Sequence, residues 1–239
     1  MIKDLNLDEV LFLDLETVPA AADISQLTDE WKNLWEEKSR FLREKNQYSL
    51  EESYPSAGIF AEFGKIICIG LGYFAQRSGE RIFRVRSIEG DDEKKLLHEF
   101  ANLLEAHNGK PFRLLCAHNG KEFDFPYLCR RMLVHGIQLP HLLNIAGKKP
   151  WEVAHLDTME LWKFGDYKNY TSLKLLAQLF SIPTPKDDIS GADVYNVYYK
   201  EKNIDRIATY CRKDVITMAR VLQRFMGMPA IEDSEVVVL

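Results

Sequence analysis

Cysteine is scarce in this 239-residue chain, and the four present, Cys68, Cys116, Cys129 and Cys211, never form a C-x-x-C pair. That spacing excludes a zinc ribbon and a disulfide framework. It leaves reduced, mostly buried thiols, as expected of a cytoplasmic protein. Long apolar runs are lacking too. The strongest, residues 66–74, falls far short of the roughly 20 residues a membrane helix needs, and the charged N-terminus does not resemble a signal peptide. Positive charge is outnumbered: 31 Lys and Arg against 36 Asp and Glu give a net charge of -5. This excludes a broad basic coat for nucleic acid but not a local basic groove, and it suits a protein that gathers carboxylates around a cation. His118, His135, His141 and His155 take no metal-ligand spacing and read as structural or surface residues. There is no internal repeat and no low-complexity linker.

What is present is ample for a core, with 46% hydrophobic and 28% charged residues. Strand signals fall at residues 10–15, 65–73, 81–87, 112–117 and 154–157, the second and third joined by a turn around Ser78 and Gly79. Helical periodicity marks 27–45, 91–107, 125–135, 158–162, 172–180, 192–200 and 205–226. The helix at 27–45 carries Trp31, Leu34, Trp35, Phe41 and Leu42 and is expected to pack on the domain, while 49–63 reads as a loop. The whole, residues 1–239, reads as one α/β domain with a mixed central sheet of about five strands flanked by helices. Its core spans about 9–226, with a helix-and-loop insertion at 27–63 and a flexible tail at 228–239. A site is expected at the C-terminal ends of the strands.

Three stretches carry carboxylates that call for an explanation. In VLFLDLETVP, Asp14 and Glu16 are two apart on a strand and so share a face, where like charges raise each other's pKa. Exposure to water or a divalent cation between them would relieve the repulsion; a DxE alone decides nothing. In HNGKEFDFPYL, Asp124 precedes Pro126, placing it either as a helix N-cap or as a metal-site carboxylate at a helix start. In YCRKD, Tyr210 and Asp214 lie four apart on one helical face, above an apolar stripe of Ile207, Cys211, Val215, Met218 and Leu222.

Taken in order, Asp14, Glu16, Asp124, Tyr210 and Asp214 resemble the motifs of the DEDD superfamily of 3′–5′ exonucleases, which have a ribonuclease H-like fold. Thr209 stands where the histidine branch has its histidine, so the resemblance is to the tyrosine branch. The stretches AEFGKIICIGLGYF, DTMELWKFGDY and TSLKLLAQLFSIPTPKDDISG extend it to a bacterial family of predicted exonucleases related to the proofreading domain of family B DNA polymerases. The polymerase domain itself has no counterpart here.

The resemblance implies hydrolysis of phosphodiesters with two divalent ions, magnesium or manganese. Asp14 would bridge both ions, Glu16 and Asp214 would complete the site of the attacking water, and Asp124 would hold the second ion. Tyr210 would orient the water. The products would be 5′-mononucleotides from a 3′ end, with single-stranded DNA favoured, and a polymerase or repair partner is compatible with this activity. The alternatives are an exoribonuclease of the same superfamily and a non-catalytic nucleic-acid-binding domain. Thr17, Asn119, Phe123, Phe164 and Lys168 are candidate substrate contacts. The aromatics around Lys163 and Lys168 suit stacking and phosphate contact. Lys121, Arg130 and Arg131 read as basic contacts near the second motif or as solvated charges. Asp157 reads as a structural hydrogen-bonding group, and Lys186, Asp188 and Gly191 match a family motif.

Overall fold

The structure is a computed structural model that describes residues 4–105, 112–166, 170–183 and 189–239. Its centre is β1 (Val10–Pro19), buried on both faces because it lies mid-sheet. On one side it pairs antiparallel with β2 (Gly64–Arg77), which returns through a hairpin as β3 (Glu80–Glu89). On the other side it pairs in parallel with β4 (Leu114–Ala117), which pairs in parallel with the short β5 (Leu156–Asp157). A sixth strand, β6 (Val236–Val238), joins β3 in parallel, giving the order β5-β4-β1-β2-β3-β6.

The alternation of a strand divides β1 between two cores. Leu11, Leu13 and Leu15 face a cluster shared with α3 (Glu93–Glu105) and α4 (Asp124–Val134). Val10 and Phe12 face the long C-terminal helix α8 (Ile204–Phe225 by chain order, after the shorter helices below). The expected stripe of α8 is fully buried: Ile207, Cys211, Val215, Met218 and Leu222. It presses close to the sheet because β2 offers glycines there. A Cβ on Gly70 would meet Cys211 Sγ at 2.8 Å, and one on Gly72 would meet Val215 Cγ1 at 2.6 Å. This close approach brings the residues flanking the stripe down beside β1.

The segment before β2 folds on itself. Helix α1 (Asp29–Asn46) is followed by α2 (Leu50–Ser53) and a 3-10 helix over Tyr54–Ile59, where the sequence suggested a loop. Trp35 is fully buried against Tyr54, Phe60 and Phe63, its indole N–H donating to Ser53 Oγ at 3.1 Å. Phe41, expected on the packed face, is instead 81% exposed. The remaining helices are α5 (Thr158–Lys163), α6 (Leu173–Leu179) and α7 (Val194–Tyr199).

The sheet has six strands, in keeping with the expected mixed sheet of about five, and the additional β6 shows that the segment 228–239 is not a loose tail. Arg220, 3% exposed on α8, donates to Ile231 O at 3.0 Å and to Asp233 Oδ1 at 2.6 Å. Gln223 accepts from Ile231 N. These bonds dock the segment, and its three β-branched valines complete the ladder. Arg131 is also neither a solvated charge nor a basic contact. It is 8% exposed and donates Nε and Nη2 to Glu93 at 2.9 and 2.6 Å and Nη1 to Ala61 O. Glu93 also accepts from Ile66 N at 2.7 Å and pairs with His135 Nε2 at 2.7 Å, so one buried carboxylate ties α3, α4 and β2 together.

Candidate active site

The site forms where β4 stops. Pairing between β1 and β4 ends at Phe12 with Cys116, while β1 continues beside β2 as far as Pro19. Asp14, opposite Gly70, and Glu16, opposite Cys68, therefore occupy the stretch of β1 whose β4 side has opened. After Ala117 the chain turns away through Asn119, which adopts a left-handed φ of 65°. Asp157 holds that turn. Its carboxylate accepts from Asn119 N at 2.9 Å and Lys121 N at 3.0 Å, and from Met159 N and Glu160 N at the start of α5. This is the structural role expected of it.

The turn delivers Asp124 as the first residue of α4. Phe123 is the N-cap, with no capping side chain, so Asp124 is not the cap. It is 4% exposed and accepts from its own N–H and from that of Leu15. Burial lifts its carboxyl from 3.8 to about 7, in spite of those hydrogen bonds. Asp14, Glu16, Asp124, Tyr210 and Asp214 all line one cleft of about 660 Å3.

The electrostatics are set by burial first and by the mutual repulsion of the carboxylates second. Burial, then the charges of Glu16, Asp214 and Asp124, push Asp14 well above the ordinary carboxylate range, against a hydrogen bond from Cys211. Burial does the same to Glu16, helped by Cys68, Asp214 and Asp124. Burial also raises the Tyr210 phenol, as do the three carboxylates Asp214, Glu16 and Asp14 and a hydrogen bond to Asp214. Tyr210 is consequently a neutral hydrogen-bond donor here and no base.

Among the described residues, the ligand atoms of Asp14, Glu16 and Cys211 all lie within 4.8 Å of one another, the spacing of a group able to hold a metal ion. Oxygen donors with this much unshared charge fit a hard divalent cation. Cys211 fits less well as a ligand. Its thiol is pushed well above its usual range by burial, then by Cys68 and the nearby carboxylates. It donates at 3.3 Å to Asp14 and accepts from Gly70 N at 3.2 Å. The thiol thus positions Asp14. The sequence placed Cys211 on the apolar face of its helix and gave no sign of this contact across the fold.

Thr17, Asn119 and Phe123 line the same cleft. Phe164 does not: it caps the C-terminal end of α5 and is 90% exposed outside the lining. Trp162 nearby is a core residue against Phe180 and Phe225. Lys168, Lys186 and Asp188 lie outside the described residues. His118 reaches the lining but is held by Thr158 Oγ1 at 2.8 Å and Thr171 O at 3.0 Å. His155 bridges Leu115 N and Leu142 O. The sequence did not point to Leu42 and Ile59 from the insertion, or to Tyr195, Asn196 and Lys200 on and just after α7, all of which line the cleft. A clue was available in Asn196 and Lys200, four apart on the expected helix.

The sequence model of one protein family matches residues 60–235; it is described as a predicted 3′–5′ exonuclease related to the exonuclease domain of PolB. The chain belongs to this family. The match takes in Asp124, Tyr210 and Asp214, and Asp14 and Glu16 precede it. Among solved structures, the chain is similar to the family B DNA polymerase from the hyperthermophilic archaeon Pyrobaculum calidifontis, with a TM-score of 0.50 and 15% identity. The likeness covers 90% of this chain and 24% of that one, so the chain spans about a quarter of the polymerase's length. The six-stranded mixed sheet and its helices are the α/β, ribonuclease H-like fold of a polymerase exonuclease domain. No curated protein matches the chain. Among the described residues, no helix is long and apolar enough to cross a membrane.

Proposed function

We propose that this protein is a metal-dependent 3′–5′ exonuclease of the tyrosine type that releases 5′-mononucleotides from single-stranded DNA. The observation that carries the proposal is the gathering of Asp14, Glu16, Asp124 and Asp214, with Tyr210, around one cleft. A fold that placed these groups for structure alone would gain nothing from crowding four carboxylates around one cleft, where like charges raise one another's pKa. Asp14, Glu16 and Asp214 would hold one divalent ion, magnesium or manganese, with Asp14 shared by a second ion on the Asp124 side. Bound there, such ions supply an acidified water and stabilisation of charge on the phosphate oxygens.

The chain's own groups do the rest. Cys211 holds the Asp14 carboxylate in place through its hydrogen bond. The backbone N–H of Leu15 fixes Asp124. Tyr210, kept protonated and hydrogen-bonded to Asp214, would orient the attacking water by accepting from it at the phenol oxygen; such positioning is worth orders of magnitude in rate when the geometry is held. A scaffold domain that only bound nucleic acid would have no need of four carboxylates, and their retention favours the enzyme.

The deciding experiment uses 5′-labelled DNA and RNA oligonucleotides, single and double stranded, with magnesium, manganese or EDTA. A stepwise ladder from the 3′ end of single-stranded DNA, lost with EDTA and in folded Asp14→Ala, is expected. A ladder on RNA alone would move the assignment to an exoribonuclease. Undiminished digestion by Asp14→Ala would refute the proposal.

A further inference from the structure

The cleft lining is chemically uneven in a way the carboxylates do not explain. One stretch comes from the insertion: Leu42 of α1 and Ile59 at the end of its 3-10 helix. Both are apolar, and Ile59 is 56% exposed. Another stretch comes from α7 and its C-cap: Asn196 and Lys200, exposed and four apart, hence on one helical face. The α7 stretch is firmly placed, because Tyr195 donates to Ala22 O at 2.6 Å, Tyr198 to Asp91 at 2.6 Å, and Tyr199 to Pro19 O. The side chains of Asn196 and Lys200 take no part in this anchoring. Among the described lining residues Lys200 is the lone Lys or Arg.

We propose that these two stretches grip an unpaired strand, Lys200 and Asn196 holding a backbone phosphate and Leu42 and Ile59 receiving base faces. The proposal rests on the exonuclease reading above and deepens it to the form of the substrate. A polyanion entering a cleft floored by carboxylates meets repulsion everywhere except at a cation, and a lysine ammonium suits phosphate as a point charge. Asn196 adds a neutral donor one turn away. Leu42 and Ile59 have no group that could read a base edge, so their contact is with the faces of bases and tolerates any sequence. In a duplex those faces are covered by stacking. A lining that takes base faces therefore selects unpaired nucleotides, and the insertion becomes the element that sets strand preference.

The test follows binding by fluorescence anisotropy, with calcium in place of magnesium. The probes are a labelled single strand, its blunt duplex and a single strand with abasic sites near the 3′ end. Wild type is expected to bind the single strand about tenfold more tightly than the duplex. Lys200→Ala should weaken single-strand binding several-fold and reduce the slope of log affinity against log salt by about 0.7, the value for one phosphate contact on a single strand. Ile59→Ser, at an exposed position, should narrow the difference between intact and abasic strands. Equal affinity for strand and duplex, or variants with wild-type salt slope and wild-type abasic discrimination, would overturn the proposal. Degradation in magnesium is measured in parallel. Lys200-dependent binding without degradation counts against the exonuclease reading alone, and degradation indifferent to Lys200 and Ile59 counts against the grip alone.

Discussion

Replacing Asp124 with asparagine should make the metal-free protein more stable. The side chain is 4% exposed, and burial lifts its carboxyl from 3.8 to about 7 even though Leu15 N–H and its own N–H favour the charged form. A carboxyl whose folded pKa is raised binds more protons in the folded state. Its cost to stability is absent below the unfolded value of about 3.9, grows as pH rises, and is complete above about 7. At 1.36 kcal/mol per pH unit, that displacement is on the order of 4 kcal/mol. Asparagine keeps the volume and an acceptor for Leu15 N–H, so most of the cost should be recovered: roughly 2–4 kcal/mol at about pH 8, and close to nothing at about pH 4. Urea unfolding in EDTA at the two pH values measures the difference. A variant less stable than wild type at the higher pH, or a gain equal at both, would refute the reasoning. Added magnesium should then raise the wild-type midpoint and raise that of Asp124→Asn by less, because the variant keeps Asp14, Glu16 and Asp214 but loses the carboxylate on the side of the second ion.

Tyr210→Phe should lower kcat about 10–100-fold with little change in KM or stability, and wild-type turnover in this variant would remove Tyr210 from the mechanism. Glu93→Ala should cost about 3–5 kcal/mol in urea unfolding because it leaves the Arg131 guanidinium buried without its partner. Burial pushes Glu93 up, but hydrogen bonds from Arg131, Ile66 N–H and His135 outweigh it and hold the carboxyl below its usual range. Its stabilising contribution is therefore present above the unfolded value of about 4.3 and is lost as pH falls through the folded one, and the acid limb of the wild-type stability profile should flatten in Glu93→Gln. Removing residues 230–239 should lower the melting temperature distinctly, since it strips Arg220 of Ile231 O and Asp233; an unchanged melting curve would show that the docked segment contributes nothing.

What the sequence disclosed depended on how far apart the interacting residues are. The α8 stripe from Ile207 to Leu222 follows a helical period within one segment, and all five of its residues are buried. Asp14 and Glu16 share a face by strand alternation alone. The three valines at 236–238 become a strand only because β3 offers an edge and Arg220 supplies the anchor, both distant in sequence. Phe164 was drawn in by composition, an aromatic among lysines, yet the turn at the end of α5 carries it away from the cleft. Local sequence left Asp124 undecided between cap and ligand because both roles fall at the start of a helix. The structure makes Phe123 the N-cap and Asp124 the first residue of the helix, set against Leu15 more than a hundred residues earlier, a contact no local reading could supply.

The early end of β4 accounts for both the site and its cost. Had β4 paired along the whole of β1, the edge beside Asp14 and Glu16 would be closed by backbone, and no ion or strand could approach. Because pairing stops at Phe12, the chain must turn from Ala117 to α4, and Asp157 secures that turn with two backbone hydrogen bonds while capping α5 with two more. The same turn sets Asp124 against Leu15. Meanwhile Gly70 and Gly72 let α8 settle on β2, which brings Cys211 onto Asp14 and Tyr210 and Asp214 to the rim. Each step is paid for by ordinary packing and hydrogen bonding, and each moves a carboxylate nearer to others of its kind. The repulsion left over is not a flaw in the packing. It is the part of the folding free energy that a bound cation would return, and measuring stability with and without magnesium in Asp14→Asn, Asp124→Asn and wild type reads that part directly.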